Sequence, residues 1–283
     1  MKVSCHLITW GEDLLKGLEE ASQLGYQACE TFTHMALRYE DKVEEFKELL
    51  ANNGFVLSAL YGGGRFSDKS KQKEVIEYNT RVAKFLAACG SDRIVFGPGG
   101  PRTEGGTTLE ELKIAAETIN EAAKRCSDLG VKACVHPHLW TEIQNENEID
   151  TIMELTDPNY VFFCPDTAHL TKAGMDPVAI MRRYRDRIAY LHLKDVTSED
   201  ELDADKFPIL TGNEALPIFC ELGLGTINFQ PIFNFLEEIG YGGWVTVEID
   251  QSTSTPYQSL QICRDFVEQK FGLPVRSNSD RTV

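Results

Sequence analysis

The chain holds six histidines, at positions 6, 34, 136, 138, 169 and 192, and each falls near the end of a predicted β-strand or just beyond it. Carboxylates accompany them: Asp166 lies three residues before His169 in a D-x-x-H pattern, and Glu248 and Asp250 close the last apolar run. Imidazole and carboxylate are side chains that both ligate divalent metals and move protons near neutral pH. A single histidine at a strand end is most often a structural hydrogen-bonder, but six in one layer are hard to assign to packing. Side chains alternate across a strand. Phe162, Cys164 and Asp166 therefore share a face, as do His136 and His138, Tyr190, His192 and Lys194, and Trp244, Thr246, Glu248 and Asp250. If these faces turn inward, Asp166, His192, Glu248 and one group from the fifth strand converge. Such mixed ligation suits Mn2+, Co2+ or Mg2+, with Zn2+ also compatible. Each residue has a plainer explanation: Asp166 as a helix N-cap, Glu248 as a lysine partner, His192 bonded to a backbone carbonyl. Their coincidence on three consecutive strand ends favours the metal.

The elements that must position these groups alternate along the whole chain. Strand-like runs are expected at Lys2–Thr9, Tyr26–Glu30, Phe55–Tyr61, Asp92–Gly97, Val131–His138, Tyr160–Asp166, Arg187–Asp195 and Gly243–Asp250. Amphipathic helices are expected at Asp13–Leu24, Asp41–Asn53, Lys71–Cys89, Leu109–Leu129, Glu146–Leu155, Pro177–Tyr184, Gln230–Ile239 and Tyr257–Phe271. Gly25, Gly54, Gly90, Gly130 and Gly240 stand where several of these helices must stop. Eight β units alternating with eight α units predict an α/β fold, a single (β/α)8 TIM barrel over residues 1–273. An open doubly wound sheet would usually carry a glycine-rich phosphate loop after its first strand, and that position reads Thr9-Trp10-Gly11-Glu12. Residues 198–226 are too long for a simple connection and predict a lid or interface insertion, and residues 274–283 predict a flexible tail.

Composition narrows the partners. The formal net charge of −16 repels phosphate backbones and anionic membrane surfaces, so neither nucleic acid nor membrane is expected. The cluster Arg182, Arg183, Arg185 and Arg187 reads as a solvated helix end rather than a basic groove. Eight cysteines without a C-x-x-C or tight framework point to a reducing compartment. No signal peptide or membrane-length apolar run is seen, and the chain reads as soluble and cytoplasmic.

The ordered segments His136-Pro137-His138, Asp166-Thr167-Ala168-His169, Tyr190 to Asp195, Gly223 to Phe229 and Gly240 to Asp250 carry a resemblance. With them the chain resembles the xylose isomerase-like superfamily of TIM-barrel sugar isomerases and epimerases, nearest its inosose dehydratase-like branch. The resemblance implies one divalent metal held by Asp166, His192 and Glu248, with His169 in support. The fourth family ligand is a strand-five glutamate; here His136 stands at that place, and Glu142, six residues on, is the nearest carboxylate. That departure weakens the two-glutamate epimerase mechanism and fits the dehydratase-like branch.

Isomerases, epimerases and dehydratases of this kind share proton removal next to a carbonyl, with a metal stabilising the enediolate. Glu248 is the first candidate base, with Glu142 or His138 opposite it; His169 and Lys194 are candidate donors to developing oxyanions. In a dehydration, His138 or His169 would help expel a hydroxyl as water. His6, Trp10, Glu30, Phe66 and Trp140 are candidate substrate contacts. The expected partner is a small sugar or polyol, and the resemblance admits a homo-oligomer, a dimer or tetramer. Isomerisation or epimerisation is the leading expectation, inosose-type dehydration the alternative, and a non-catalytic sugar-binding barrel a further one. Abasic-site endonucleases share the barrel, but the acidic balance argues against that activity.

Overall fold

The computed structural model describes residues 1–197 and 218–276. The barrel strands are β1 (Lys2–His6), β2 (Ala28–Phe32), β3 (Val56–Gly64), β4 (Arg93–Pro98), β5 (Lys132–Val135), β6 (Val161–Phe163), β7 (Leu191–Leu193) and β10 (Trp244–Val247). They run parallel in the order β6-β5-β4-β3-β2-β1-β10-β7. The ring closes between β6 and β7 through the parallel bridges Phe163–Ile188 and Asp166–His192. A short antiparallel pair, β8 (Asp195–Val196) with β9 (Phe219–Cys220), branches from the end of β7.

The helices clothe this ring. They are α1 (Leu14–Gln23), α2 (Thr33–Ala36), α3 (Val43–Asn52), α4 (Gln72–Ala88), α5 (Leu109–Ser127), α6 (Glu146–Leu155), α7 (Thr167–Lys172), α8 (Pro177–Arg183), α9 (Gln230–Glu238) and α10 (Pro256–Phe271). Their apolar faces and the outward strand residues form one core, including Leu18, Phe46, Leu86, Ile119, Phe163 and Phe235. The five glycines expected to stop helices all have φ between 63° and 92°, the left-handed region where a Cβ is penalised. Short α2 and α7 were not anticipated; α7 starts at the candidate ligand Asp166, whose side chain caps it.

Inside the barrel, Ala59, Val95, Cys134, Cys164 and Tyr190 fill the middle, with Phe162 and Trp244 packed against them. Ser4 and Ser58 bond each other at 2.6 Å, and Ser58 meets the Tyr190 hydroxyl at 2.8 Å. The interior is thus a packed plug, as in other eight-stranded parallel barrels, in which the chemistry sits at the C-terminal strand ends. At Gly63 an added Cβ would come within 2.1 Å of the Gly97 carbonyl oxygen, so the close approach of β3 and β4 requires glycine. None of the eight cysteines is joined in a disulfide. Arg182 and Arg183 form ion pairs with Glu238, Glu146 and Asp150, and Arg187 donates to the backbone carbonyls of Val161 and Met153. The arginine cluster therefore ties helices together instead of presenting a basic groove. Most of the expected insertion, residues 198–217, and tail residues 277–283 lie outside the described residues. Among the described residues no helix is long and apolar enough to cross a membrane.

Candidate active site

Six of the eight barrel strands, β1, β2, β5, β6, β7 and β10, bring inward residues to the barrel mouth, where His6, Glu30, His136, Asp166, His192, Lys194 and Glu248 are all buried. Register explains the convergence: His6 pairs with Glu30, Thr246 with His192, and His192 bridges to Asp166.

The centre is His192. Its Nε2 lies 2.7 Å from Glu30 Oε2, and because a carboxylate can only accept, Nε2 donates. Its Nδ1 faces Glu248 Oε2 at 2.7 Å and Asp166 Oδ2 at 4.0 Å. The closer approach is not aligned as a hydrogen bond: Nδ1 and Glu248 Oε2 are both buried without a hydrogen-bond partner, as are Asp166 Oδ2 and His136 Nε2. Four buried ligand-type atoms without hydrogen bonds are expensive unless something else occupies their lone pairs. Ligand atoms of Asp166, His192 and Glu248 lie within 4.8 Å of one another, as do those of His136, Cys164 and His192 and those of His136, His138 and His169. Burial pushes the Cys164 thiol well up, which keeps it protonated and makes it the weakest donor here.

Asp166 divides its work. Oδ1 accepts from the backbone N–H of Ala168 at 2.8 Å and of His169 at 2.9 Å, while Oδ2 has no hydrogen bond. The N-cap reading is met by Oδ1, which leaves Oδ2 available as a candidate ligand. His136 Nδ1 lies 3.3 Å from the Cys164 carbonyl and so points its bare Nε2 into the mouth.

Lys194 supplies the positive charge. Its ammonium stands 2.8 Å from Asp250, 3.1 Å from Glu248 and 3.6 Å from Asp166, and 3.4 Å from His169 Nε2. Burial alone would lower its pKa, but Glu248, Asp250 and Asp166 outweigh that and hold it well above the usual lysine range. Burial likewise opposes charge on Glu248, yet Lys194 and His192 hold it well below the carboxylate range. Asp166 goes the other way: burial, with the Glu248 charge adding to it, lifts it to about 6 against the pull of Lys194. For His192, Glu30 and Glu248 overcome burial and raise the imidazole well above 6.5.

His138 and His169 form a second group. Their ring centroids are 3.7 Å apart, and Phe219 packs against His169 at 4.9 Å. Burial, then Lys194, lowers both pKa values, so both imidazoles are neutral at pH 7. His138 is the more accessible of the two, and its Nδ1 donates to the Leu139 carbonyl at 2.8 Å, leaving Nε2 basic.

Several expected site residues sit elsewhere. Glu142 points away from the metal candidates and accepts backbone N–H bonds from Phe66 at 2.7 Å, Ser67 at 2.9 Å and Gly99 at 3.3 Å. Phe66 has no exposure and packs on Phe96, and Trp10 is buried with its indole N–H on Glu20 at 2.6 Å. Both aromatics serve packing. His34 is exposed and pairs with Glu12 at 2.8 Å. His6 does reach the mouth layer, its Nδ1 accepting from Ile8 at 2.9 Å. Trp140 lies on the loop after β5, 55% exposed and at φ 64°. Tyr61 and Phe219 were missed, and Asp250 was placed beside Glu248 without a role of its own. Asp250 shares the face of Glu248 and was recoverable from alternation; Tyr61, whose ring lies 5.5 Å from that of His136, and Phe219 required the tertiary fold.

The family profile described as Xylose isomerase-like TIM barrel matches residues 18–266. An inosose dehydratase of Geobacillus kaustophilus is 32% identical over 93% of this chain and 92% of its own length. The solved IOLI protein, described with a binding zinc atom, superposes with a TM-score of 0.78 at 19% identity, covering 96% of this chain and all of that one at 100%. An L-ribulose 3-epimerase superposes with a TM-score of 0.74 at 16% identity over 96% of this chain and 95% of that one. At these identities the two structures speak to the fold alone.

Proposed function

The chain belongs to the xylose isomerase-like TIM-barrel family, and we propose that it is a metal-dependent lyase that dehydrates a cyclic keto-polyol of the inosose type. The observation that carries the metal is the set of converging, buried ligand atoms that make no hydrogen bond: Asp166 Oδ2, His192 Nδ1, Glu248 Oε2 and His136 Nε2. Two carboxylates and two imidazoles suit Mn2+, Co2+ or Zn2+, and Mg2+ less, since nitrogen donors favour the softer ions. When bound, the cation would act as a Lewis acid on the substrate's carbonyl and neighbouring oxygen.

Dehydration is favoured over isomerisation or epimerisation by the disposition of the bases. Epimerisation through two glutamates needs a carboxylate on each face of the substrate. Position 136 holds an imidazole, and Glu142 is committed to backbone N–H groups. The neutral histidines suit elimination instead. His138 Nε2 takes the proton from the carbon next to the carbonyl; Lys194, anchored by Asp250, donates toward the oxygen where negative charge gathers. The C–O bond at the β-carbon then breaks as the new C=C bond forms, His138 returns its proton to the departing hydroxyl, which leaves as water, and the resulting enol tautomerises to the diketone. The identity to inosose dehydratases over most of the chain supports this substrate class.

The test pairs metal analysis with turnover. The native chain should hold close to one divalent ion and convert an inosose to its dehydrated diketone, followed by ultraviolet absorbance. Asp166→Ala, His192→Ala and Glu248→Ala should each lose the ion with the fold intact, and His138→Gln should keep the ion and lose turnover. A metal-loaded native chain that epimerises keto-sugars and leaves inososes untouched would overturn the dehydratase reading. A native chain that takes up no metal even after supplementation would overturn the metal site.

A further inference from the structure

Glu30, a candidate contact for a substrate hydroxyl, has its carboxylate fully buried beside His192. Its partner among the described residues is His192 Nε2, at 2.7 Å; its other oxygen, Oε1, is buried with no hydrogen bond. A buried carboxylate with half its acceptor capacity unused costs stability, and a barrel interior could house an apolar residue there at less cost. The arrangement makes sense in terms of what it does to the imidazole.

We propose that Glu30 is a positioning residue that fixes the tautomer and ring orientation of His192, so that the bare Nδ1 is presented to a divalent cation between Asp166 and Glu248. This rests on the metal site proposed above. The geometry is directional. The carboxylate can only accept, so the Nε2 proton is held on the far side of the ring from the two candidate carboxylate ligands. Tyr61, Tyr190 and His136 pack around the imidazole at ring-centroid distances of 6.4, 5.7 and 4.7 Å and limit its rotation. None of these contacts sets the tautomer; the hydrogen bond to Glu30 does. Glu30 also adds charge to the mouth: Asp166, Glu248 and Asp250 surround the ammonium of Lys194, and Glu30 is a fourth buried carboxylate beside His192, a balance that favours a divalent cation. A carboxylate behind a ligating imidazole raises the basicity of the ligand nitrogen, and losing such a partner typically lowers metal affinity by roughly 10–100-fold.

The experiment is chelator competition with Zn2+ and with Mn2+ on the full chain, comparing native, Glu30→Gln and Glu30→Leu proteins whose folding is checked by circular dichroism. Histidine-selective 15N labelling then reads the His192 ring in the diamagnetic Zn2+ form. The expected result is a loss of affinity of roughly 10–100-fold in Glu30→Gln, which keeps shape and removes charge, with a larger loss in Glu30→Leu. The native ring should show its proton on Nε2. Native-like affinity in a folded Glu30→Gln protein, or a native Zn2+ form with Nε2 bare, overturns the role of Glu30. Failure of the native chain itself to bind either ion overturns the metal site instead, so the two failures are distinguishable. Should Glu30→Leu not fold, the near-isosteric Glu30→Gln still decides the question.

Discussion

Replacing Lys194 with methionine removes the ammonium at the centre of the mouth while keeping an unbranched side chain of similar reach. In the native chain Lys194 is fully buried and lies 2.8 Å from Asp250, 3.1 Å from Glu248 and 3.6 Å from Asp166. Taking one partner out of a buried ion pair typically costs about 3–5 kcal/mol, because the charges left behind have no compensation. Asp250 is 30% exposed and water relieves it, which places the expected loss near the low end, about 3 kcal/mol. At about 2–4 °C per kcal/mol for a chain approaching this size, the metal-free variant should melt roughly 6–12 °C below the native protein. The same substitution leaves the pocket more anionic. Added Mn2+ should therefore raise the melting temperature of the variant by more than it raises that of the native chain. Calorimetry on chelator-stripped protein at about pH 8, with and without Mn2+, measures both quantities; that pH keeps Asp166, lifted to about 6, ionised. A metal-free variant melting within about 2 °C of native, or a smaller metal-induced rise, would refute the claim that Lys194 balances these carboxylates.

Two further outcomes follow from carboxylates outside the metal candidates. Glu142→Gln should keep its metal and lose about 1–3 kcal/mol of stability, since it weakens a cap on three backbone N–H groups; metal analysis with urea unfolding checks this, and a folded but metal-free variant would return Glu142 to the ligand set. Glu148 is buried; burial pushes its pKa up, but the Arg102 guanidinium and the backbone N–H groups of Gln144, Asn145 and Thr107 hold it below the usual carboxylate range. A folded pKa below the unfolded value of about 4.3 contributes stability that is present above that pH and lost as pH falls through the lower folded value. Urea unfolding at a series of acid pH values should therefore show the gap between native and Glu148→Gln proteins narrowing below about pH 4.3, and a gap constant with pH would contradict this assignment.

The alternation of elements was legible because both periods are strong, and Glu146–Leu155 even matches to the residue. The expected second, third and fourth strands stopped one to three residues short of the observed ones, but others ran past them: the fifth to His138 rather than Val135, the sixth to Asp166 rather than Phe163, the eighth to Asp250 rather than Val247. The overrun has a physical cause. Alternation persists beyond the last regular ladder bonds, and in that short overhang the side chains face the mouth instead of a neighbouring strand. What sequence alone could not sort was which aromatic or carboxylate near a strand end crosses the barrel. Trp10 and Phe66 turn into packing, Glu142 caps a loop, and Glu30 reaches His192 across a separation of 162 residues. These outcomes depend on register and loop path, which no local pattern encodes.

Asp166 shows how far fold and site are one construction. As an N-cap it fixes the first turn of α7, and that turn carries His169 back toward Lys194. The cap consumes Oδ1, and the carboxylate's planarity then aims Oδ2 at His192. The two N–H groups bonded to Oδ1 also favour the ionised form, opposing part of what burial and Glu248 do. A substitution here thus acts twice, on the helix start and on the ligand set. Asp166→Asn separates the two: its amide oxygen can still cap α7 while its nitrogen replaces the free ligand oxygen. The structural role of Asp166 and its role toward a cation are therefore consequences of the same hydrogen bonds.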